Sequence, residues 1–215
     1  IDRLRPVQTI PAGSGVTTVS AGTYHTCAVI NGGVQCWGYN YDGELGDDSM
    51  TNRVTPVQII AAGNSVTAVA AGEQHSCAVV NGGVKCWGNN FYGELGDGTS
   101  STHLTPVQTI PIGSGVTAIT ANWFHTCAVI NVGVKCWGIN NFGQLGDGTT
   151  TDRFSPVQTI LAGSGVTTVV AGSSHICALV TGKVKCWGAN FSGQFGNGNT
   201  DSSYTPVDGP SFLTN

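Results

Sequence analysis

The sequence predicts an all-β protein built from four copies of one 50-residue unit. The motif HxCA begins at residues 25, 75, 125 and 175, and VxCWGxN follows it each time, without insertion or deletion. A fixed period of this length is typical of solenoids, propellers and similar arrays. The chain also has 32 glycines among 215 residues and only 9% charged residues, a composition that favours short strands and tight turns over helices.

The repetition predicts one repeat domain over residues 1–215. Its units cover about 6–55, 56–105, 106–155 and 156–208. Residue 1 falls inside a repeat and no signal peptide precedes it, so we expect a processed chain or a fragment of a longer one.

Each unit carries four β-rich runs, here called A to D, bounded by Gly or Asn. For the first unit these runs are 16–20, 25–30, 34–37 and 56–60. Asn31 and Gly32, between runs B and C, predict a type I′ turn, in which both central residues have positive φ. Val132 replaces this glycine in the third unit, so we expect a different turn there.

The predicted hairpin places Cys27 opposite Cys36 in a non-hydrogen-bonded pair, where two Cα atoms lie within disulfide reach. Disulfides indicate an extracellular, periplasmic or cell-surface location. The alternative is a metal site that adds His25 to the two thiolates, which is less favoured because zinc-binding cysteines usually lie in short CxxC motifs. The same register pairs Cys77 with Cys86, Cys127 with Cys136, and Cys177 with Cys186.

The repeated histidines have no carboxylate or nucleophile at a fixed offset. We therefore expect His25, His75, His125 and His175 to bond the backbone where strand A passes into strand B. A large aromatic residue repeated in every copy suits packing between adjacent units. This applies to Trp37, Trp87, Trp137 and Trp187.

Composition argues against several classes of function. The net charge is −4 and the 8 Lys and Arg residues are dispersed, so we expect no nucleic-acid partner. The sequence contains no apolar run of 18 residues, so we expect no membrane span. The acidic strings at 42–48 and 93–98 lack the spacing of calcium loops, so we assign no metal and no cofactor. The sequence gives no sign of a nucleophile, a base and an orienting group that converge on one site. We therefore expect a non-enzymatic protein without catalytic residues.

Every unit contains the motif HxCA, then CWGxNxxG, and then a single PV. With this combination, residues 6–208 resemble the regulator of chromosome condensation repeat family in its cysteine-bearing form. The resemblance implies a β-propeller-like array of four-stranded antiparallel blades; family members commonly have seven. The founding nuclear member is an exchange factor for a small GTPase, which makes nucleotide exchange a remote alternative. A secreted bacterial relative inhibits β-lactamase through its propeller face, which implies that the fold can bind partners outside the cell.

In an antiparallel blade the A–B and C–D loops emerge at the same end. The most variable columns and many aromatic residues lie in these loops, as is typical of a recognition surface on a rigid scaffold. We expect Tyr24, Trp123 and Phe124 to be exposed, whereas the rings at 41, 91 and 191 either bind or cap the blade. The candidate binding residues are Tyr24, Tyr39, Tyr41, Glu73, Phe91, Tyr92, Trp123, Phe124, Phe142 and Phe191.

Two functional hypotheses follow. The first is an extracellular binding module that recognises a protein or glycan through the variable aromatic loops. The alternative is a structural protein whose blade edges self-associate into a multimeric ring or surface fibre. The second hypothesis rests on five D-type runs, at Pro6, Pro56, Pro106, Pro156 and Pro206, for only four A, B and C sets.

Overall fold

The computed structural model describes residues 8–210, which form four antiparallel sheets of four strands and contain no helix that could cross a membrane. The first sheet consists of β1 (Val16–Ala21), β2 (His25–Ile30), β3 (Gly33–Gly38) and β4 (Arg53–Ile60). The second consists of β5 (Val66–Ala71), β6 (His75–Val80), β7 (Gly83–Gly88) and β8 (His103–Ile110). The third sheet consists of β9 (Val116–Asn122), β10 (His125–Ile130), β11 (Gly133–Gly138) and β12 (Arg153–Ile160). The fourth consists of β13 (Val166–Ala171), β14 (His175–Val180), β15 (Lys183–Gly188) and β16 (Ser203–Asp208). The predicted fold class is confirmed.

Each sheet is one blade, numbered 1 to 4 in chain order, and its strands follow one another in sequence order. The first strands of neighbouring blades contact each other, so β1, β5, β9 and β13 are the innermost strands. Their ends line a cavity of about 360 Å³, whose walls include Ala21, Ala71, Ala121 and Ala171. The blades are therefore arranged around a common axis, as in a propeller.

The fourth strand of each blade is longer than expected. In blade 1 it begins at Arg53, three residues before Pro56, because Arg53 pairs with Gly38 across an irregularity in the register. Gly38 has a φ of 115°, a conformation that favours glycine. The first D-type run starts at Pro6, outside the described residues, and residues 8–10 are not in a strand.

The hairpin register is as predicted in all four blades. Ile30 pairs with Gly33, Val29 with Val34, and Cys27 with Cys36. The four predicted disulfides are present, with Cα–Cα distances of 4.0 to 4.1 Å. A two-residue turn leaves one register available, and that register brings each pair of cysteines together.

The prediction of a different third turn is wrong. Asn131 and Val132 both have positive φ, 49° and 53°, like Asn31 and Gly32 in the first hairpin. The next blade holds the turn in this form, because Gly163 N donates to Asn131 O and Val166 N to Val132 O, both at 2.9 Å. A valine thus occupies a backbone conformation that costs a β-branched residue about 1–2 kcal/mol.

Each pair of adjacent blades buries an apolar cluster between them. One face of blade 1 presents the Cys27–Cys36 disulfide with Val29, Val34 and Leu45, all fully buried. It packs against Val66, Val69 and Trp87 of blade 2, and the same arrangement recurs at the other two junctions. Three of the four disulfides therefore contribute to packing between blades as well as within them.

A tryptophan hydrogen bond accompanies each of these junctions. Trp87 Nε1 donates to Glu44 O at 2.8 Å, Trp137 Nε1 to Glu94 O at 2.8 Å, and Trp187 Nε1 to Gln144 O at 2.9 Å. These three indoles are fully buried, as predicted for core residues, whereas Trp37 of blade 1 is only partly buried. Burial without such an acceptor would be costly, so the bond constrains how the blades approach.

His25 and His75 bond side chains of the next blade, so the expectation of backbone partners is wrong for both; His125 has Ile176 at the corresponding position, and its ring makes no hydrogen bond within residues 8–210. His25 Nε2 lies 2.8 Å from Ser76 Oγ, and His75 Nε2 lies 2.8 Å from Thr126 Oγ1. Each hydroxyl donates its proton to the same carbonyl that accepts from the tryptophan, at Glu44 or Glu94. The imidazole is therefore the donor to the hydroxyl. Burial lowers the pKa of His25 to about 4 and of His75 to about 3, which keeps both rings neutral.

Two junctions also bury a glutamate. Glu94 Oε2 accepts from Tyr92 N at 2.9 Å, while Glu94 Oε1 is buried without a partner in residues 8–210. Burial raises the pKa of Glu94 to about 7, and that of Glu44 in the same direction. Gln144 occupies the equivalent position in the third blade, where Gln144 Oε1 accepts from Phe142 N at 2.9 Å. The glutamine makes the same contact without the cost of a buried charge.

Val132→Gly is expected to stabilise the chain by about 1 kcal/mol, because glycine adopts positive φ without the steric cost of a Cβ. Gly82→Val at the equivalent turn is the matched control and should destabilise it by a similar amount, since a Cβ there would meet no atom closer than 3.7 Å. Thermal unfolding of the two variants measures both changes. A lower melting temperature for Val132→Gly would contradict this account of the turn.

Glu94→Gln is expected to stabilise the chain by about 2 kcal/mol above pH 7 and to have little effect near pH 4. The folded pKa of about 7 exceeds the ordinary value of 4.5, so the wild type loses stability as pH rises between these values. Gln144→Glu should introduce the same loss at the third junction. Denaturant unfolding across pH 4–8 measures both variants, and parallel curves for wild type and Glu94→Gln would contradict a buried neutral carboxyl.

Candidate recognition face

The long loop between the third and fourth strands of each blade is organised around one buried asparagine. In blade 1, Asn40 Oδ1 accepts from Leu45 N at 2.9 Å, and Asn40 Nδ2 donates to Asp47 Oδ1 at 3.0 Å and Thr51 O at 3.2 Å. Asn90, Asn140 and Asn190 make equivalent bonds. These bonds fix the backbone of the loop without involving the side chains at its tip.

An ion pair between arginine and aspartate closes the same loop in blades 1 and 3, and a contact between His103 and Asp97 takes its place in blade 2. Arg53 Nε lies 2.6 Å from Asp47 Oδ2, and the His103–Asp97 and Arg153–Asp147 pairs measure 2.9 and 2.7 Å. Burial acts to raise the pKa of Asp47, but hydrogen bonds from Ser49 and Arg53 outweigh it and lower the pKa. The fourth copy has Asn197 and Ser203 at these positions. The acidic side chains of these strings thus hold the turns of the loop together.

Aromatic side chains of the A–B and C–D loops meet at one end of the blades and form three groups. The first is Tyr24, Tyr39 and Tyr41, with ring centroids 4.9 to 5.8 Å apart. The second is Phe91, Tyr92, Trp123 and Phe124, which joins blades 2 and 3 through the 5.3 Å contact between Tyr92 and Phe124. The third is Phe142 and Phe191, 5.8 Å apart. We call this surface the recognition face.

Most of these rings remain open to solvent. The rings at 41, 91 and 191, for which capping was an equal alternative, are exposed, and Tyr24 and Trp123 are exposed as expected. Phe124 differs from its expectation, because it is only partly exposed and packs against Tyr92. The exposed fractions are 67% for Tyr24, 62% for Tyr41, 68% for Phe91, 47% for Trp123, 42% for Phe142 and 66% for Phe191.

Two clefts open on this face between neighbouring blades. One, of about 290 Å³, is lined by Tyr24, Tyr39, Glu73 and Gln74. Desolvation and the nearby carboxylates of Glu44 and Asp42 raise the pKa of Tyr39. These carboxylates make the surroundings of the cleft negative. The other, of about 380 Å³, lies between blades 3 and 4, and its walls include Trp123, Phe142 and Phe191. Both clefts combine aromatic walls with a few polar groups, as ligand sites commonly do.

The opposite end of the blades carries the hairpin turns and the linkers between blades. Its exposed apolar side chains include Ile112, at 58%, and Leu161, at 72%. None of the aromatic contacts found in residues 8–210 lies at this end. The two ends therefore differ in chemistry, although both consist of loops.

The buried serine and histidine pair does not form a reachable catalytic site. Ser76 is fully buried, and its proton is donated to Glu44 O at 2.9 Å. A nucleophile must be accessible to substrate and hydrogen-bonded to a base that can accept its proton. The arrangement serves the junction instead, and the non-enzymatic character of the chain stays a prediction.

The sequence identifies the A–B and C–D loops as the loops of the recognition face, but it does not identify the residues that support them. Asn40 was recognisable only as a polar residue identical in all four copies. Gln74 lines the cleft beside Glu73 but gave no signal beyond its place in a variable column. The signal for Asn40 was sufficient in principle, because a buried amide that repeats without change must be satisfied by its surroundings.

Solved structures with the same fold are about twice as long as this chain. Human WBSCR16 matches with a TM-score of 0.81 and 26% identity, over 91% of this chain and 53% of its own. Prp20p of Saccharomyces cerevisiae matches with a TM-score of 0.79 and 19% identity, over 95% and 52%. The ectodomain of the Physcomitrella patens receptor kinase CR4 matches with a TM-score of 0.51 and 28% identity, over 88% and 46%.

No curated protein sequence matches the chain. The family model for the regulator of chromosome condensation (RCC1) repeat matches residues 31–79, 81–129 and 134–179, and a second model of the same repeat matches residues 66–94 and 166–194. These matches extend over most of the described blades. The chain therefore belongs to the regulator of chromosome condensation (RCC1) repeat family.

Proposed function

We propose that this chain is a non-enzymatic, extracellular binding module that recognises a protein through the recognition face. The observation that carries the proposal is the concentration of six exposed aromatic side chains at one end of a rigid scaffold. Aromatic residues supply large contact areas at low entropic cost, and they dominate the binding energy of many protein interfaces. The asparagine-centred loops support the proposal, because they hold the backbone while the tip residues vary.

The distribution of the rings favours a protein ligand over a glycan. The three groups extend across all four blades, from Tyr24 to Phe191, rather than converging on one deep pocket. The two clefts are separate and each lies between blades. A protein surface can engage several such sites at once, whereas a small saccharide would use one.

The electrostatics near the first group indicate the kind of side chain that fits there. Glu73 lines the cleft with Tyr24 and Tyr39, and the net charge of the chain is −4. A lysine or arginine of the ligand would form an ion pair with this carboxylate and a cation–π contact with an aromatic ring. We therefore propose a partner segment that combines a cationic residue with apolar residues.

The extracellular location is supported by the four disulfides. Each closes a short hairpin, and three of them are fully buried at a blade junction. Such bonds persist in oxidising compartments and are rare in the cytosol. Complete alkylation of the eight cysteines in the protein isolated from its native source, without a reductant, would contradict this location.

A structural relative illustrates protein binding by this fold. Prp20p of Saccharomyces cerevisiae has binding properties to Gsp1p and histones. At 19% identity the likeness shows the fold alone, and the chain covers about half of Prp20p. Protein binding by this chain therefore rests on its own exposed rings.

Selection of displayed peptides tests the proposal. Peptides selected on the oxidised chain should lose at least about tenfold in affinity when Trp123→Ala and Phe91→Ala are combined, because the exposed rings would carry the contact. The matched control is Ile112→Ala combined with Leu161→Ala, which removes exposed apolar side chains from the opposite end and should leave affinity unchanged. Fluorescence anisotropy measures binding, and circular dichroism verifies folding of both variants.

Two results would contradict the proposal. Equal losses in the two double variants would show that the recognition face has no special role. Binding of neutral oligosaccharides on a glycan array, with no peptide selected, would show that the ligand class is wrong.

A further inference from the structure

The C–D loops of blades 2 and 3 share one architecture but differ in two of the residues that hold them. At the buried position that follows the loop tip, blade 2 has Glu94 and blade 3 has Gln144. At the start of the fourth strand, blade 2 has His103 and blade 3 has Arg153. The carboxyl of Glu94, with a pKa of about 7, and a histidine both change charge close to neutral pH, whereas glutamine has no charge and arginine keeps its own. The loop of blade 2 therefore combines two groups whose charge depends on pH.

Glu94 lies inside the junction between blades 2 and 3. Its side chain is fully buried, Oε2 accepts from Tyr92 N at 2.9 Å, and Oε1 has no partner within residues 8–210. Its main-chain O accepts from Trp137 Nε1 and Thr126 Oγ1 of blade 3, which fixes the backbone. A neutral carboxyl tolerates this site, whereas a buried carboxylate with one hydrogen bond is costly. Loss of the proton therefore favours movement of the side chain towards water, and this movement breaks the bond to Tyr92 N.

The charged and titratable groups around Glu94 add to this effect or leave it unchanged. Asp152, just before β12, raises the pKa of Glu94 further. Arg153, the next residue, is engaged by Asp147 at 2.7 Å. Two imidazoles of the neighbouring strands stay neutral, because burial lowers the pKa of one to about 3 and of the other to about 4; they are His75 of β6 and His125 of β10.

The second pH-dependent contact closes the same loop at its other end. His103 Nε2 lies 2.9 Å from Asp97 Oδ2, where blades 1 and 3 have an arginine. Burial acts to raise the pKa of Asp97, but hydrogen bonds, the largest from Thr99 N at 2.9 Å, outweigh it and keep Asp97 charged. On the other side of β8 lies Asp48 of blade 1, whose N donates to Leu104 O at 3.0 Å. Both neighbours are acidic, so the contact becomes an ion pair when the imidazole is protonated in mildly acidic solution.

We propose that the C–D loop of blade 2, residues 89–102, is a pH-sensitive element of the recognition face, held in mildly acidic solution and loosened in mildly alkaline solution. The two contacts act in the same direction, because proton uptake removes the charge of Glu94 and adds a charge to His103. The loop carries two rings of the largest aromatic group, and Tyr92 joins it to Phe124 of blade 3. The consequence for binding rests on the proposed function: a ligand must order a loosened loop, so affinity falls as the pH rises.

The C–D loop of blade 3, residues 139–152, provides a control within the same molecule. Phe142 N donates to Gln144 Oε1 at 2.9 Å, in the geometry of Tyr92 and Glu94. Its closing contact is between an arginine and an aspartate, and neither contact changes charge near neutral pH. This loop should therefore keep its order where the loop of blade 2 loses it.

Nuclear magnetic resonance of the oxidised chain without a ligand tests the proposal. The amide of Tyr92 should titrate with a midpoint at about pH 7, because the carboxyl that accepts its hydrogen bond gains a charge. The backbone order parameters of residues 89–102 should fall between about pH 5.5 and about pH 8, whereas those of residues 139–152 should stay constant.

Variants that exchange residues between the two loops provide the matched controls. Glu94→Gln combined with His103→Arg gives blade 2 the residues of blade 3 and should abolish both changes. Gln144→Glu combined with Arg153→His should make the loop of blade 3 pH-sensitive instead. Each new side chain already occurs at the same position of another blade, and circular dichroism verifies folding.

Binding is measured with a selected peptide that contains no histidine. Its affinity for the wild type should fall at least about fivefold over the same pH range, and should stay constant for Glu94→Gln combined with His103→Arg. Constant affinity in the wild type despite a titrating loop would overturn the link to binding.

Two results without a ligand would overturn the proposal for the loop itself. One is a Tyr92 amide that does not titrate, and the other is a Tyr92 amide that titrates equally in Glu94→Gln combined with His103→Arg. Failure to select any peptide would count against the proposed function alone, because the amides of the ligand-free chain decide the behaviour of the loop.

Discussion

The hydrogen bond from the tryptophan of one blade to a carbonyl of the preceding blade is the contact on which the rest of the structure depends. Trp87, Trp137 and Trp187 are fully buried, and each has its acceptor at 2.8 or 2.9 Å. The indole reaches the carbonyl because Gly46, or its counterpart, has no side chain: a Cβ on Gly46 would lie 2.6 Å from Trp87 Cδ1. This close approach sets the angle between blades and places the C–D loop of one beside the A–B loop of the next.

The recognition face is a consequence of that arrangement. Tyr92 of blade 2 contacts Phe124 of blade 3 only because the junction brings their loops together. The loop itself is held by Asn90, whose bonds go to Leu95 N, Asp97 and Thr99 and leave the tip residues free to differ. The constant asparagine therefore forms the scaffold of the loop, and the aromatic residues at the loop tips differ between blades.

Much of the fold was predictable from short-range geometry, and the packing of the tryptophans between blades from their repetition, whereas the hydrogen-bond partners between blades were not. A two-residue turn determined the register and hence the pairing of Cys27 with Cys36. The partner of His25 could not be predicted, because Ser76 is 51 residues away and meets it only when blades pack. The turn at Val132 was mispredicted for the same reason, since bonds from Gly163 and Val166 of the next blade hold it. Sequence position identified the aromatic loops but not the degree of exposure of each ring.

Hydrogen–deuterium exchange of the oxidised chain in dilute solution tests most directly whether stability resides in the junctions. Blades 2 and 3 have a described neighbour on both sides, so amides of β6, β7, β10 and β11 should exchange most slowly. The hairpins of blades 1 and 4 contain the same disulfide and the same register but each has one such neighbour, and they should exchange faster. Equal protection of all four hairpins would contradict the account, because it would show that each blade is stabilised by its own disulfide and strand pairing.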